Sequence, residues 1–248
     1  MGKIVAIGGG ENGRPGTKYE TETFDKEIVR LSNKKHPKFL FIGLANTYSD
    51  SYYEVMCKIY KDMYGCKTEH LTEEDIKLEQ IASNKIENSD IIYVGGGNTL
   101  RLMTLLRKYK IDLMLEKAYK NDKILCGISA GAICWCDFGN SDSRKFTSGS
   151  DQLIKVKGLG FVKILCCPHF NSENNRKNDL PRMMKKTHKI PAIALNDGAA
   201  LEINGDNFRI ITSIKDARAF KFYWKKGEYI SETLEQDVYQ EIGNLYTI

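Results

Sequence analysis

Short apolar runs alternate along the chain with longer stretches in which apolar residues recur every three or four positions. Short runs of this kind are typical of buried strands, and the longer periodic stretches are typical of amphipathic helices. The strand-like runs are Lys3–Ile7, Phe39–Leu44, Ile91–Val94, Ile124–Cys126, Phe161–Cys166 and Ala192–Leu195. The predicted helices are Thr21–Lys34, Ser51–Tyr64, Asn98–Arg107, Ile111–Tyr119, a helix beginning at Ala130, and Glu173–Lys185.

The order of these elements predicts the fold class. Strands separated by helices favour a mostly parallel sheet sandwiched by helices, because parallel strands need a crossover connection. After Leu195 the pattern changes to short runs, Ala200–Ile203, Phe208–Thr212 and Ala217–Trp224, that are typical of an antiparallel extension at the sheet edge. The sequence contains no evident linker or repeat, so residues 1–248 are predicted to form one α/β domain.

Composition and charge narrow the class of protein. The formal net charge is +5, from 37 basic and 32 acidic residues, without the cluster of cations and aromatics that is typical of a nucleic-acid face. The sequence has no run of 18 apolar residues, and Lys3–Ile7 reads as a strand rather than part of a signal peptide. Its seven cysteines form no C-x-x-C pair and are expected to be reduced. We therefore expect a cytoplasmic protein that binds neither nucleic acid nor a membrane.

Ser129 lies in the segment Gly127–Gly131, whose sequence is G-I-S-A-G, between a predicted strand and a predicted helix. This is the context of a nucleophile elbow, in which flanking glycines permit a tight turn that lifts the serine clear of the sheet. The helix that follows directs backbone N–H groups towards the reaction site, where they stabilise an oxyanion. The segment predicts that Ser129 is the nucleophile of a hydrolase.

A serine nucleophile needs a base, and the chain has four histidines: His36, His70, His169 and His188. His36 is expected in a surface turn, His70 at the end of an edge strand, and His188 in the basic end of a helix. His169 follows the predicted strand Phe161–Cys166 and therefore emerges at the same sheet edge as Ser129. We predict that His169 is the base.

The base needs a carboxylate to fix its tautomer, and two aspartates follow the elbow helix, Asp137 and Asp142. Asp142 is favoured because it lies in the predicted loop Gly139–Ser143, where it is free to turn towards the histidine. Asp137 is nearer the helix and is expected to end it. Both alternatives give the chain order Ser, Asp, His.

A glycine-rich turn, Gly95–Gly97, also lies between a predicted strand and a predicted helix. Its glycines allow a backbone N–H to approach a substrate closely, so the turn is a candidate second oxyanion donor beside the Ala130 N–H. Asn98 or Thr99 is placed to cap the helix that follows. The two roles are compatible.

The segment Gly8–Gly13 fits the G-x-G-x-x-G fingerprint of dinucleotide-binding proteins. That fingerprint requires a helix to begin inside the loop and an acidic residue at the end of the next strand. Arg14–Gly16 instead prolongs the loop, and Ala45–Thr47 after the next strand contains no carboxylate. A flexible turn over the sheet is favoured, with no cofactor.

Three motifs occur in order along the chain: Gly-Gly-Gly-Asn-Thr at 95–99, Gly-Ile-Ser-Ala-Gly-Ala-Ile-Cys-Trp at 127–135, and Cys-Pro-His-Phe-Asn at 167–171. With them the chain resembles the dipeptidase E (peptidase E, aspartyl dipeptidase) and cyanophycinase family of serine peptidases. The resemblance implies a class I glutamine amidotransferase-like fold, with serine where the amidotransferases use cysteine. It also implies Ser129 as nucleophile, His169 as base, an oxyanion hole from Gly97 and Ala130, and an acidic third member at Asp142.

The resemblance also bears on the substrate. Dipeptidase E cleaves dipeptides with an N-terminal aspartate, and a basic residue downstream of its histidine is thought to hold that carboxylate. Arg176 is the candidate here and Asn98 is a second candidate substrate-binding residue, while the specificity for aspartate stays open. We expect a serine peptidase that hydrolyses dipeptides or short peptides through an acyl-enzyme, without a metal or cofactor.

Other functions and the oligomeric state stay open at this point. An amidase or esterase acting on a non-peptide substrate would use the same fold, and so would a non-catalytic binding module that retains the pocket. The expected partner is a small peptide substrate. A homodimer is an alternative to a monomer.

Overall fold

The computed structural model describes residues 2–185, 187 and 190–248. The strands are β1 (Lys3–Ile7), β2 (Lys38–Ile42), β3 (Lys67–Leu71), β4 (Ile91–Val94), β5 (Ile124–Ile128), β6 (Cys136–Ser141), β7 (Ile154–Lys157), β8 (Val162–Cys167), β9 (Ala192–Leu195), β10 (Ala199–Asn204), β11 (Asn207–Thr212), β12 (Ala219–Lys225), β13 (Glu228–Thr233) and β14 (Gln240–Glu241). The α-helices are α1 (Glu22–Leu31), α2 (Ser49–Cys57), α3 (Glu79–Asn88), α4 (Thr99–Lys108), α5 (Ile111–Lys120), α6 (Ala130–Ile133), α7 (Ser143–Ser148), α8 (Asn174–Met184) and α9 (Ile242–Tyr246). A π-helical segment, Lys58–Met63, continues α2, and a short 3₁₀ helix, Asp75–Lys77, precedes α3.

The larger sheet has the strand order β14-β11-β10-β1-β5-β4-β2-β3. Strands β1, β5, β4, β2 and β3 are parallel, and β10, β11 and β14 add antiparallel strands beside β1. Alternate residues of β1 pack on opposite faces: Ile4 and Ala6 join the core formed with α3 to α6, and Val5 and Ile7 join the core formed with α1 and α2. Because both faces are covered, the central strands are almost entirely apolar.

A second sheet has the order β13-β12-β9-β8-β6-β7, in which β6, β8 and β9 are parallel. Ile164 of β8 and Ile193 of β9 pack into the same core as the larger sheet. The neighbouring residues Leu165 and Ala192 face the other way, towards Leu180 of α8. The two sheets therefore share one core, and α8 covers the outer face of the second sheet.

The predicted α/β class, with helices that flank a mostly parallel sheet, is confirmed, and the structure divides the strands between two sheets, which the sequence did not predict. The segment that becomes β6 is polar in sequence and was expected to be a helix end and a loop. Its residues Asn140 and Ser141 are nevertheless fully buried, because the Arg176 guanidinium donates to the Asn140 carbonyl and the Ser141 and Ser143 hydroxyls share a hydrogen bond. Because β8 pairs with β6 on one side and with β9 on the other, β8 and β9 belong to the second sheet and not to the larger one.

The short runs after Leu195 divide between the two sheets. Strands β10 and β11 form the expected antiparallel extension of the larger sheet, whereas β12 and β13 extend the second. The elbow helix α6 begins at Ala130 as predicted and is a single turn long. His188 lies outside the described residues. Among the residues that are described, no helix is long and apolar enough to cross a membrane.

Candidate active site

A cavity of about 720 Å³ opens where the turns after β1, β4 and β5 meet at one edge of the larger sheet. Its lining includes Gly97, Ser129 and His169, together with side chains from α2 and α7. The carboxyl ends of parallel strands gather the loops that bind ligands in open α/β sheets. The predicted nucleophile and the predicted base are therefore brought to the same cavity.

Ser129 occupies a strained turn between β5 and α6. Its backbone has φ 56° and ψ −109°, a conformation that residues other than glycine rarely adopt. The Ser129 N–H donates to the Ile7 carbonyl oxygen at 3.0 Å, which fixes the turn to the end of β1. Glycine is required two residues later, because a Cβ at Gly131 would lie 2.0 Å from the Val94 carbonyl oxygen.

The His169 imidazole stands between Ser129 and Asp197, which is not one of the aspartates predicted from the sequence. Its Nε2 lies 2.9 Å from Ser129 Oγ, and its Nδ1 lies 2.6 Å from Asp197 Oδ1. The side chains of His169 and Asp197 are 23% and 24% exposed, so the pair is partly shielded from water but reachable from the cavity. Serine, histidine and aspartate thus form one continuous hydrogen-bonded chain.

The backbone around β1 holds this histidine in place. His169 has a φ of 52°, and its N–H donates to the Gly8 carbonyl oxygen at 3.1 Å. The next residue, Gly9, passes so close that a Cβ there would lie 1.9 Å from Asp197 Oδ1 and 2.5 Å from His169 Nδ1. The turn after β1, predicted to be flexible, is instead packed against the histidine–aspartate pair.

Asp197 is fixed and kept ionised by groups from the loop that follows His169. Its backbone N–H donates to Asn171 Oδ1 at 2.8 Å. Burial disfavours the charged carboxylate, but the hydrogen bonds from His169 and Ser172 and the nearby charge of Arg176 outweigh it and hold the pKa of Asp197 below its usual value. The His169 loop therefore supplies both the imidazole and part of the support for its partner.

The resemblance implies an oxyanion hole from Ala130 and Gly97. In the structure Ala130 directly follows Ser129, and Gly97 lines the same cavity as Ser129. Ala130 is the first residue of α6, so its N–H has no acceptor one turn earlier in the helix. Gly97 lines the cavity with Ser129, in a turn where φ is 135°. A Cβ at this position would lie 2.4 Å from the Ala45 carbonyl oxygen, so only glycine fits.

The two aspartates proposed as partners of His169 have other positions. Asp142 is the residue before α7, and its carbonyl oxygen accepts the Lys145 N–H. It does not lie in a free loop, because the residues before it belong to β6 and pair with β7. Asp137 lies at the amino end of β6, whereas His169 follows the carboxyl end of the parallel strand β8. The structure pairs His169 with Asp197, so the prediction of Asp142 and its alternative Asp137 are wrong in geometry.

The two candidate substrate-binding residues are also engaged elsewhere. The Asn98 side chain caps α4 by accepting the Arg101 N–H at 3.0 Å, which was the alternative role considered for it. Arg176 is only 1% exposed, and its guanidinium donates to Glu173 Oε2 and to Asn140. Neither side chain lines the cavity. Arg176 instead acts at a distance, through its charge near Asp197.

His36, His70 and the glycine-rich turn after β1 fit structural roles. His36 Nδ1 lies 2.9 Å from the Gly65 carbonyl oxygen, and the His70 ring stacks on Tyr53. The helix α1 begins at Glu22, well after the turn, so the turn lacks the helix that dinucleotide binding requires. Within the described part of the chain, no three His, Cys, Asp or Glu side chains are grouped as metal ligands.

One sequence signal would have found Asp197. It follows the predicted strand Ala192–Leu195 by two residues, as His169 follows the strand before it, and parallel strands bring their carboxyl ends to one edge. In the sequence, neither Asp137 nor Asp142 follows a predicted strand, whereas Asp197 does.

Comparison with known proteins identifies the family of the chain. Residues 4–211 match the model of peptidase family S51. The chain is 32% identical over 224 residues to the uncharacterized peptidase YgaJ of Bacillus subtilis, covering 89% of this chain and 92% of the relative. It is 26% identical to Peptidase E of a Nostoc species, over 82% of this chain and 83% of the relative.

A solved structure has the same fold. The crystal structure of a peptidase from an acI-B1 actinobacterium superposes with a TM-score of 0.70 and 20% identity, over 97% of both chains. The family match covers most of the chain and includes the strand ends that carry Ser129, His169 and Asp197. The chain belongs to peptidase family S51 and is a serine peptidase.

Proposed function

We propose that the chain hydrolyses dipeptides or short peptides through an acyl-enzyme, with Ser129 as nucleophile, His169 as base and Asp197 as the third member of a catalytic triad. The observation that carries the proposal is the hydrogen-bonded chain from Asp197 Oδ1 through His169 to Ser129 Oγ, with distances of 2.6 and 2.9 Å. Hydrogen-bonded contact in this order is how a triad is recognised, whatever the order along the chain.

The ionised Asp197 carboxylate sets the direction of proton transfer. Because it accepts the Nδ1–H, the His169 ring presents Nε2 as an acceptor to the Ser129 hydroxyl. As Ser129 Oγ attacks the peptide carbonyl carbon, Nε2 takes the hydroxyl proton and then gives it to the leaving amine. In the second step Nε2 takes a proton from water as the water oxygen attacks the acyl carbon. Nε2 then returns that proton to Ser129 Oγ as the acyl–Oγ bond breaks, which releases the acid and restores the serine hydroxyl.

The oxyanion that forms in each step needs hydrogen-bond donors in place before the reaction. The Ala130 N–H at the start of α6 and the Gly97 N–H are the groups that we assign to it, and together they stabilise the negative oxygen electrostatically. The strained backbone of Ser129 supports this assignment, because such strain is typical of a nucleophile elbow. The next N–H in the chain is then held beside the nucleophile.

The test is to replace the nucleophile and to label it. Ser129→Ala should lower hydrolysis of every cleavable peptide to the background level, with its circular dichroism and unfolding temperature unchanged. The matched control is Ser83→Ala, on α3 and outside the cavity, which should retain wild-type activity. A fluorophosphonate probe should label wild-type protein at Ser129 and leave Ser129→Ala unlabelled.

The same assay separates this function from the alternatives. A panel that includes simple amides and esters should show the highest kcat/KM for peptides, and faster turnover of a non-peptide substrate would assign the enzyme to that class. Near-normal peptidase activity of Ser129→Ala would refute the triad. Failure of the probe to label folded wild-type protein would favour a binding module.

We also propose that the enzyme works in the cytoplasm. This is supported by the seven cysteines, all of which lie in the described part of the chain and are free thiols. Six of the seven are buried. Reduced thiols of this kind are typical of a reducing compartment.

A further inference from the structure

The cavity at Ser129 is lined by several aromatic and apolar side chains: Pro15, Tyr48, Tyr52, Val55, Ile128 and Phe146. Tyr48 is 77% exposed and Phe146 is 58% exposed, although both are large and largely apolar. Side chains of this kind in a ligand-sized cavity beside a reactive serine indicate a surface that a substrate covers.

The backbone that carries the Tyr48 and Phe146 rings is held in place by hydrogen bonds. Tyr48 is the residue before α2, and its N–H donates to Asn46 Oδ1 at 2.8 Å. Phe146 lies on α7, whose first residue, Ser143, is buried and accepts the Leu100 N–H of α4 on its hydroxyl at 2.9 Å. A substrate ring that packs against them therefore meets surfaces whose backbone positions are already fixed, which lowers the entropic cost of binding.

The charges around the cavity give no advantage to an acidic side chain. Its lining contains two acidic residues, Glu11 and Glu54, and two basic residues, Arg14 and Lys58. The Arg14 guanidinium is already paired with Glu11 at 2.7 Å. Arg176, the cation expected to hold a substrate carboxylate, is buried outside the cavity.

The Tyr52 hydroxyl adds no charge to the cavity lining. Burial raises the pKa of Tyr52 to about 12, so the phenol is neutral at physiological pH. The Tyr52 ring packs against the buried Phe41 ring of the core, with centroids 4.9 Å apart. The charged residues of the lining thus balance, and its apolar part includes the three aromatic rings of Tyr48, Tyr52 and Phe146.

We propose that this peptidase selects peptides with an aromatic or large apolar side chain next to the scissile bond, and that this side chain packs against Tyr48 and Phe146. Aspartate in that position is disfavoured. The proposal rests on the proposed function, since it takes Ser129 as the nucleophile. It concerns only which peptides reach Ser129.

The test measures kcat/KM of the purified protein for Phe-Leu, Leu-Phe, Ala-Ala and Asp-Leu, by release of the free amino acids. At least one of the two phenylalanine peptides should exceed Asp-Leu by about tenfold or more, the gain expected from an aromatic contact. Tyr48→Ala and Phe146→Ala should each lower the ratio of the better phenylalanine peptide to Ala-Ala several-fold, mainly through KM. Both side chains are exposed, so neither change should unfold the protein.

The matched control is Leu113→Ala, which removes a side chain as exposed as Phe146 but outside the cavity. It should leave every ratio unchanged. Preference of the wild-type enzyme for Asp-Leu would overturn the specificity proposal while leaving Ser129 as nucleophile, and so would unchanged ratios in both cavity variants. Activity that survives in Ser129→Ala would instead overturn the proposed function.

Discussion

Replacing Gly9 by alanine tests how closely the turn after β1 controls the active site. The added methyl carbon would lie 1.9 Å from Asp197 Oδ1 and 2.5 Å from His169 Nδ1, whereas ordinary contacts begin near 3.4 Å. The turn or the pair must therefore move by about 1.5 Å. Neither is free to do so, because the Gly8 carbonyl accepts the His169 N–H and the Gly9 carbonyl accepts the Gly198 N–H.

A displacement of this size has a large catalytic cost. Misplacing a reacting group by about 1 Å lowers the rate about a hundredfold, so kcat of Gly9→Ala should fall by at least that factor, or about 2.7 kcal/mol in activation free energy. Overpacking destabilises a protein by about 1 to 3 kcal/mol, which a folded enzyme can tolerate. The variant should therefore be folded but nearly inactive.

The assay is steady-state hydrolysis of the best peptide, with kcat and KM separated and the unfolding temperature measured in parallel. Gly243→Ala is the control, because a Cβ there has no atom within 4 Å and Gly243 does not have a positive φ. It should change kcat less than twofold. If Gly9→Ala kept kcat within about threefold of wild type, the close approach of this turn would not govern the geometry of the pair.

Two further predictions follow from the carboxylates. Asp197→Asn should lower kcat by about 10³- to 10⁴-fold, because the amide no longer fixes the His169 tautomer, while Asp142→Asn should change kcat less than threefold. A larger loss of kcat in Asp142→Asn than in Asp197→Asn would restore Asp142 as the partner of His169. Burial raises the pKa of Asp25 from 3.8 to about 6, so the folded protein binds this proton more tightly than the unfolded chain. The free energy of unfolding should therefore lose about 3 kcal/mol as the pH rises from about 4 to about 6, and Asp25→Asn should remove that loss. Urea denaturation of both proteins between pH 4 and pH 7 measures this, and equal slopes would show that Asp25 is not its source.

Ser129 and His169 could be identified from the sequence because each carries its own local signal. Gly127–Gly131 joins a strand to a helix with glycines at both sides of the serine, and His169 directly follows a core strand and a proline. Short apolar runs also predicted β1, β4 and β9 with their observed bounds. In each case, residues within about five positions determine the local structure.

The partner of His169 could not be found in this way, because it depends on which strands are neighbours. The sequence favours Asp142 because it predicts a loop there, but the position of Asp142 is set by the pairing of β6 with β7 and β8. The pairing relies on the burial of Asn140 and Ser141. Arg176, which is distant in sequence, donates to the Asn140 carbonyl oxygen, and the Ser141 hydroxyl shares a hydrogen bond with the nearby Ser143 hydroxyl. Nothing in the local pattern of a polar segment predicts such burial.

The triad draws its members from two different sheets. Ser129 follows β5 of the larger sheet, whereas His169 and Asp197 follow β8 and β9 of the second. The 2.9 Å contact between Ser129 Oγ and His169 Nε2 therefore bridges two layers that are joined by their common core and by the hydrogen bond from the His169 N–H to the Gly8 carbonyl oxygen. Slippage of one layer against the other by an ångström would separate nucleophile from base while both sheets kept their own hydrogen bonds. Catalytic activity is thus more sensitive to the relative position of the two sheets than any measure of secondary structure.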